Sequence, residues 1–149
     1  TLSKLISLIQ VPVFFHNVDV DFPFHQKNKK KRWLKDVIEH LDFKLGNISV
    51  IFCSDDYLLS LNKKHLNHNY YTDVITFNYC SNKTISGDIF VSVDRVRAFS
   101  IDTNTPFLSE INRVIVHGVL HLCGFDDKKP DEILKMRKLE DLYLTKIKS

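Results

Sequence analysis

The chain has 149 residues, 44% of them hydrophobic and 26% charged, which is the size and balance of one ordinary globular domain. A net charge of +3 and a pI near 8.7 permit a nucleic-acid partner without demanding one. Cys53, Cys80 and Cys123 are odd in number and form no CxxC, which argues against a disulfide framework and a cysteine zinc knuckle and fits a reducing cytoplasm.

The opening TLSKLISLIQVPVFF is apolar in places, but Gln10 and Pro12 interrupt it and no small-residue cleavage site follows. It is also too short to span a bilayer. No repeat, low-complexity tract or Pro/Gly-rich linker divides the rest, so residues 1–149 read as one domain. Val11 to Phe15 is a predicted strand. The basic run Lys27, Lys29, Lys30, Lys31, Arg32 opens an amphipathic helix with Trp33, Val37, Ile38 and Leu41 on one stripe. Gly46 and Asn47 are expected to stop that helix, and Ile48 to Cys53 reads as a buried strand.

Ser54 or Asp55 can cap a second helix carrying Leu58, Leu59, Asn62 and Leu66. Asp73 to Tyr79 and Asp88 to Val93 are predicted strands, and the turn signal Ser81-Asn82-Lys83 between them points to a hairpin. Asp94 is the expected N-cap of a short helix. Pro106 stands where a further helix can begin, one that runs through Ile111, Val114 and Ile115. Pro130 starts a last helix with Ile133, Met136, Leu139 and Tyr143 along one side. Irregular alternation of strands and helices gives an α+β class: a small mixed sheet covered by helices.

The chemistry concentrates in His117-Gly118-Val119-Leu120-His121-Leu122-Cys123-Gly124-Phe125-Asp126-Asp127. On a helix, residues four apart share a face, so His117 and His121 can offer ring nitrogens to one ion. Gly124 can end that helix in the left-handed conformation, letting Asp127 fold back onto the same ion. Two imidazoles and a carboxylate with a position open suit catalytic zinc, one ion per chain. The competing reading is a pair of core histidines bonded to backbone carbonyls. It is disfavoured by the apolar surroundings, the turn glycine and the carboxylate that follows.

The spacing also matches the extended zinc-protease pattern, but Gly118 stands where such a protease carries its glutamate base. Glu110 is the candidate catalytic carboxylate, because it precedes His117 by close to two helical turns; its alternative role is a first-turn carboxylate favoured by the helix dipole. Lys29, Lys30, Lys31 and Arg32 are candidate RNA contacts, against a merely solvated helix face. Trp33 reads as a core anchor, and His65 and His68 as polar loop-end residues. Asp73 and Asp88 either flank the metal or cap turns, and Cys123 should point away from the ion.

Leu61-Asn62, Thr72 to Phe77, Gly87-Asp88-Ile89, Glu110 through Asp127, and Met136 with Glu140 occur in an order that resembles the YbeY family of bacterial rRNA maturation factors. The resemblance is clear over residues 45 to 145 and weak before them. It implies a zinc-dependent endoribonuclease of 16S rRNA 3′-end maturation and ribosome assembly, cytoplasmic and partnered by ribosomal RNA of the small subunit. The family's three-histidine metal pattern maps onto His117, His121 and the position of Asp127. A second departure is Leu66, where the family often has an arginine implicated in cleavage, so cationic help is expected from Lys63, Lys64 or the lysine run. The alternatives are a non-catalytic assembly factor with a structural metal and, disfavoured by Gly118, a metallopeptidase.

Overall fold

The computed structural model describes residues 1–2 and 11–147, so most of the opening apolar stretch lies outside the described residues. Four strands form one mixed sheet: β1 (Val13–Asn17), β2 (Lys44–Cys53), β3 (Val74–Asn78) and β4 (Thr84–Ser92), in the order β1-β2-β4-β3. The first three in that order run parallel, and β3 closes the edge as the antiparallel arm of a hairpin with β4. The expected hairpin is therefore present, with β4 starting earlier than its apolar core alone implied.

Alternation along β2 sends Ile48, Val50 and Phe52 into the main core and Cys53 into a smaller cluster with Leu58 and Ile75. Helix α1 (Lys27–His40) and helix α4 (Phe107–Leu122) pack into the main core, while α2 (Asp55–Leu66) covers the smaller cluster. Helices α3 (Val93–Thr103) and α5 (Pro130–Thr145) flank α4. None of the helices among the described residues is long and apolar enough to cross a membrane.

Three sequence expectations need correcting. Gly46 and Asn47 do not stop α1; that helix ends at His40, and Gly46 lies inside β2 where its register shifts against β4. Side chains of Ser86 and Thr84 crowd the Gly46 backbone, leaving no room for a Cβ. Ser92, not Asp94, caps α3 by accepting from the Arg95 amide at 3.1 Å. The Asp94 carboxylate instead accepts from the amide of Asp55 at the start of α2, 3.0 Å away. Ser54 caps α2, accepting from the Tyr57 amide at 3.1 Å, as one of the two expected candidates.

Lys30 is the third correction. It is 8% exposed, with its ammonium 4.1 Å from the centre of the Phe24 ring and bonded to the His25 carbonyl at 3.3 Å. Burial, with Lys29 beside it, lowers its pKa. Lys30 thus belongs to the helix's inner side, and the basic run offers solvent Lys27, Lys29, Lys31 and Arg32.

Candidate metal centre

Helix α4 lies close against the sheet because Gly118 faces Ile89 of β4. A Cβ at Gly118 would sit 2.7 Å from the Ile89 side chain. Glutamate at this position would collide with β4, so the protease base is sterically excluded as well as absent. The apolar residues Ile111, Ile115, Val119 and Leu120 bury the rest of this helix, each at 1% exposure or less. The two histidines lie on the side that remains partly open, at 21% and 25% side-chain exposure.

The end of α4 is set by Gly124, whose φ of 97° places it in the left-handed region. Phe125 donates to the Leu120 carbonyl at 3.1 Å and Gly124 to the His121 carbonyl at 3.0 Å, a Schellman closure. This reversal returns the chain past the two histidines. An Asp127 oxygen then lies 3.3 Å from Nε2 of His117 and 3.4 Å from Nε2 of His121, while the two Nε2 atoms are 3.0 Å apart.

These three atoms form the one His/Cys/Asp/Glu group among the described residues that is able to hold a metal. Tetrahedral zinc with bonds of about 2.0–2.1 Å requires ligand–ligand separations of about 3.3–3.4 Å. The two edges to Asp127 meet that requirement, and the edge between the histidines, at 3.0 Å, is shorter. Cys123 is not in the set, and burial pushes its thiol up to about 12.

Behind the ligands stands a chain of carboxylate and guanidinium groups. Glu140 of α5, itself 5% exposed, meets Nδ1 of His117 at 2.7 Å. That contact directs the ring's other nitrogen, Nε2, toward His121 and Asp127, as an outer carboxylate does in histidine metal sites. Glu140 is held in turn by Arg113 at 3.0 Å, and Arg113 also reaches Asp141 at 2.8 Å. Burial alone would lower the His117 pKa, but the bond to Glu140 and the charges of Glu140, Asp127 and Asp73 raise it. Glu140 was visible in the sequence as a motif residue; its contact with His117 was not. Arg113 was missed, and the available signal was a lone cation one turn before His117 on an otherwise apolar stretch.

His117 and Asp73 border two adjoining clefts. The larger, about 400 Å³, holds all three ligands and is also lined by Leu66, His68, Tyr70 and Lys128. Burial raises the Asp73 carboxyl above its ordinary range, with His117 and nearby backbone amides pulling it partly back. Glu110 does reach the His117 side of α4, but it lines the smaller cleft, 3.9 Å from Arg113 Nε. The carboxyl common to both clefts, apart from the ligands, is Asp73. Lys63 and Lys64 are exposed and do not line the ligand cleft; the basic side chains on its wall are His68 and Lys128. His65 packs edge-on against Phe77 at 5.7 Å.

Comparison with known proteins gives a consistent answer. The family model of Endoribonuclease YbeY matches residues 15–148. Proteins named Endoribonuclease YbeY from Azobacteroides pseudotrichonymphae and Parabacteroides distasonis are 41% and 43% identical, covering 92% and 89% of this chain and 99% and 93% of their own lengths. That of Karelsulcia muelleri is 43% identical, covering 81% of this chain and 87% of its own. The solution structure of TM1509 from Thermotoga maritima shares the fold, with a TM-score of 0.64 at 22% identity over 91% of this chain and 88% of that one. The matched span includes the histidine helix, the Gly124 reversal and the helix carrying Glu140, so the chain belongs to the Endoribonuclease YbeY family.

Proposed function

We propose that this protein is a zinc-dependent endoribonuclease acting on ribosomal RNA in 16S 3′-end maturation, in the cytoplasm. The observation that carries this reading is the close Nε2–Nε2–carboxylate group, able to converge on one ion, on the wall of an open cleft in a chain of this family. When bound there, the ion supplies a Lewis acid for a phosphate ester.

The chain's own residues do the rest. His117, His121 and Asp127 hold the ion; Asp127 makes this set one charge more negative than three histidines would. Glu140 and Arg113 fix the His117 ring. Asp73, raised by burial, is the cleft carboxyl suited to carry a proton at its Oδ atoms. Lys128 brings a cation to the wall where Leu66 supplies none.

A second reading, a non-catalytic assembly factor, is favoured by one observation: Leu66 presents an apolar side chain, 40% exposed, at the family's arginine position. Single-turnover cleavage of a 16S 3′-end fragment by zinc-loaded wild type and by His121→Ala separates the two. The nuclease reading expects cleavage by wild type that His121→Ala lacks. Equal rates for both, with RNA binding retained, would leave the assembly factor.

A further inference from the structure

Asn62 is 2% exposed and makes two bonds to the loop that follows α2. Its backbone carbonyl accepts from the His68 amide at 3.1 Å, and its side-chain amide donates to the Tyr70 carbonyl at 2.9 Å. The helix ends between them at Asn67, which has a φ of 54°. The side chain of Asn62 thus ties this loop at Tyr70, and its backbone carbonyl ties it at His68.

The two rings are held against each other. The His68 and Tyr70 ring centres are 5.1 Å apart with planes inclined by 21°, and the Tyr70 hydroxyl meets His68 Nδ1 at 3.0 Å. Neither ring belongs to a buried cluster, and Tyr70 is 55% exposed. The neighbouring Tyr71 is different. Its ring faces the Arg95 guanidinium at 5.0 Å and its hydroxyl bonds Asp56 at 3.3 Å, so it is engaged by the protein itself. The His68–Tyr70 pair lines the same cleft as His117, His121, Asp127 and Lys128.

An exposed aromatic pair stacked ring on ring contributes little to the core, but it matches what an unpaired nucleobase requires. Every base has a π face, and stacking on aromatic side chains is a main source of affinity for single strands. A base seated on the pair would place its adjoining phosphate in the cleft that holds the metal ligands and the Lys128 ammonium. We infer that His68 and Tyr70, aligned by Asn62, form a stacking subsite for an unpaired RNA base beside the metal centre. This inference rests on the RNA reading above, and it gives the Leu61-Asn62 pair a positioning role separate from the metal.

The test is fluorescence anisotropy with the zinc-loaded protein and a 16S 3′-end oligonucleotide, intact or carrying one abasic nucleotide at each position in turn. Wild type should bind at least one abasic RNA roughly 5- to 100-fold more weakly than the intact strand. Tyr70→Ala should bind the intact strand more weakly by a similar factor and lose that discrimination. Tyr70→Phe, which keeps the ring without its hydroxyl, should retain it. If wild type binds RNA but treats every abasic strand like the intact one, or if Tyr70→Ala binds like wild type, the subsite is refuted and the nuclease reading stands. A Tyr70→Phe loss as large as that of Tyr70→Ala would also refute stacking. Failure of wild type to bind any of these RNAs would overturn both.

Discussion

On one wall of the cleft, His117 and His121 stand on a helix pressed into the sheet, backed by Glu140 and Arg113. On the other, His68 and Tyr70 stand on an exposed loop tied to the buried Asn62. The first wall uses burial and ionic bonds to bring three atoms together as a metal requires. The second presents ring faces to solvent, where the position of a substrate base tolerates more variation. Disturbing the first should therefore affect stability and metal together, whereas disturbing the second should affect RNA alone.

Glu140→Gln gives the largest contrast. It keeps the shape of the side chain but removes the charge that orients His117 and pairs with Arg113, so metal affinity should fall about 10- to 100-fold. Competition with a chromogenic chelator measures this, and Tyr70→Ala in the same assay should match wild type. Equal losses in the two variants would erase the distinction between the walls.

A smaller effect appears in pH dependence. In the metal-free protein the folded state holds the His117 proton more tightly than the ordinary 6.5 implies, through Glu140, Asp127 and Asp73. The resulting stabilisation is fully present below 6.5 and is lost as pH rises through the raised value. The Tm of chelator-treated protein should fall across that window, and Glu140→Gln should flatten the fall. A wild-type profile that is already flat would mean the Glu140 contact does not favour the charged ring.

The smallest effect concerns α1, a region outside both walls. Replacing Lys29, Lys31 and Arg32 by glutamine removes three solvent-facing cations, and if each meets a phosphate the log–log salt slope of RNA binding should flatten by about 2. Lys30 is left alone in this variant because its ammonium lies over Phe24. An unchanged slope would remove α1 from the RNA surface.

What the sequence made legible was local. The spacing of His117 and His121, the turn at Gly124 and the return of Asp127 lie within one helix and its exit, so periodicity and turn chemistry were enough to place them. The hairpin followed for the same reason. Lys30 was misjudged because charge type says nothing of direction, and α1 turns that one ammonium onto an aromatic ring. Asp94 was misassigned because two helix starts meet there, and its carboxylate serves the other one. Glu110 satisfied the helical period, yet the period did not distinguish two clefts on either side of one histidine. The Glu140–His117 contact and the His68–Tyr70 pair depend on how separate elements pack, or on how a loop is tied down, and neither follows from spacing.

Metal analysis of purified wild type beside Asp127→Ala asks whether His117, His121 and Asp127 together hold one ion. Wild type should carry about one zinc per chain, and Asp127→Ala should lose it while remaining folded by circular dichroism. Full retention of zinc in Asp127→Ala would contradict this, removing Asp127 from the ligand set.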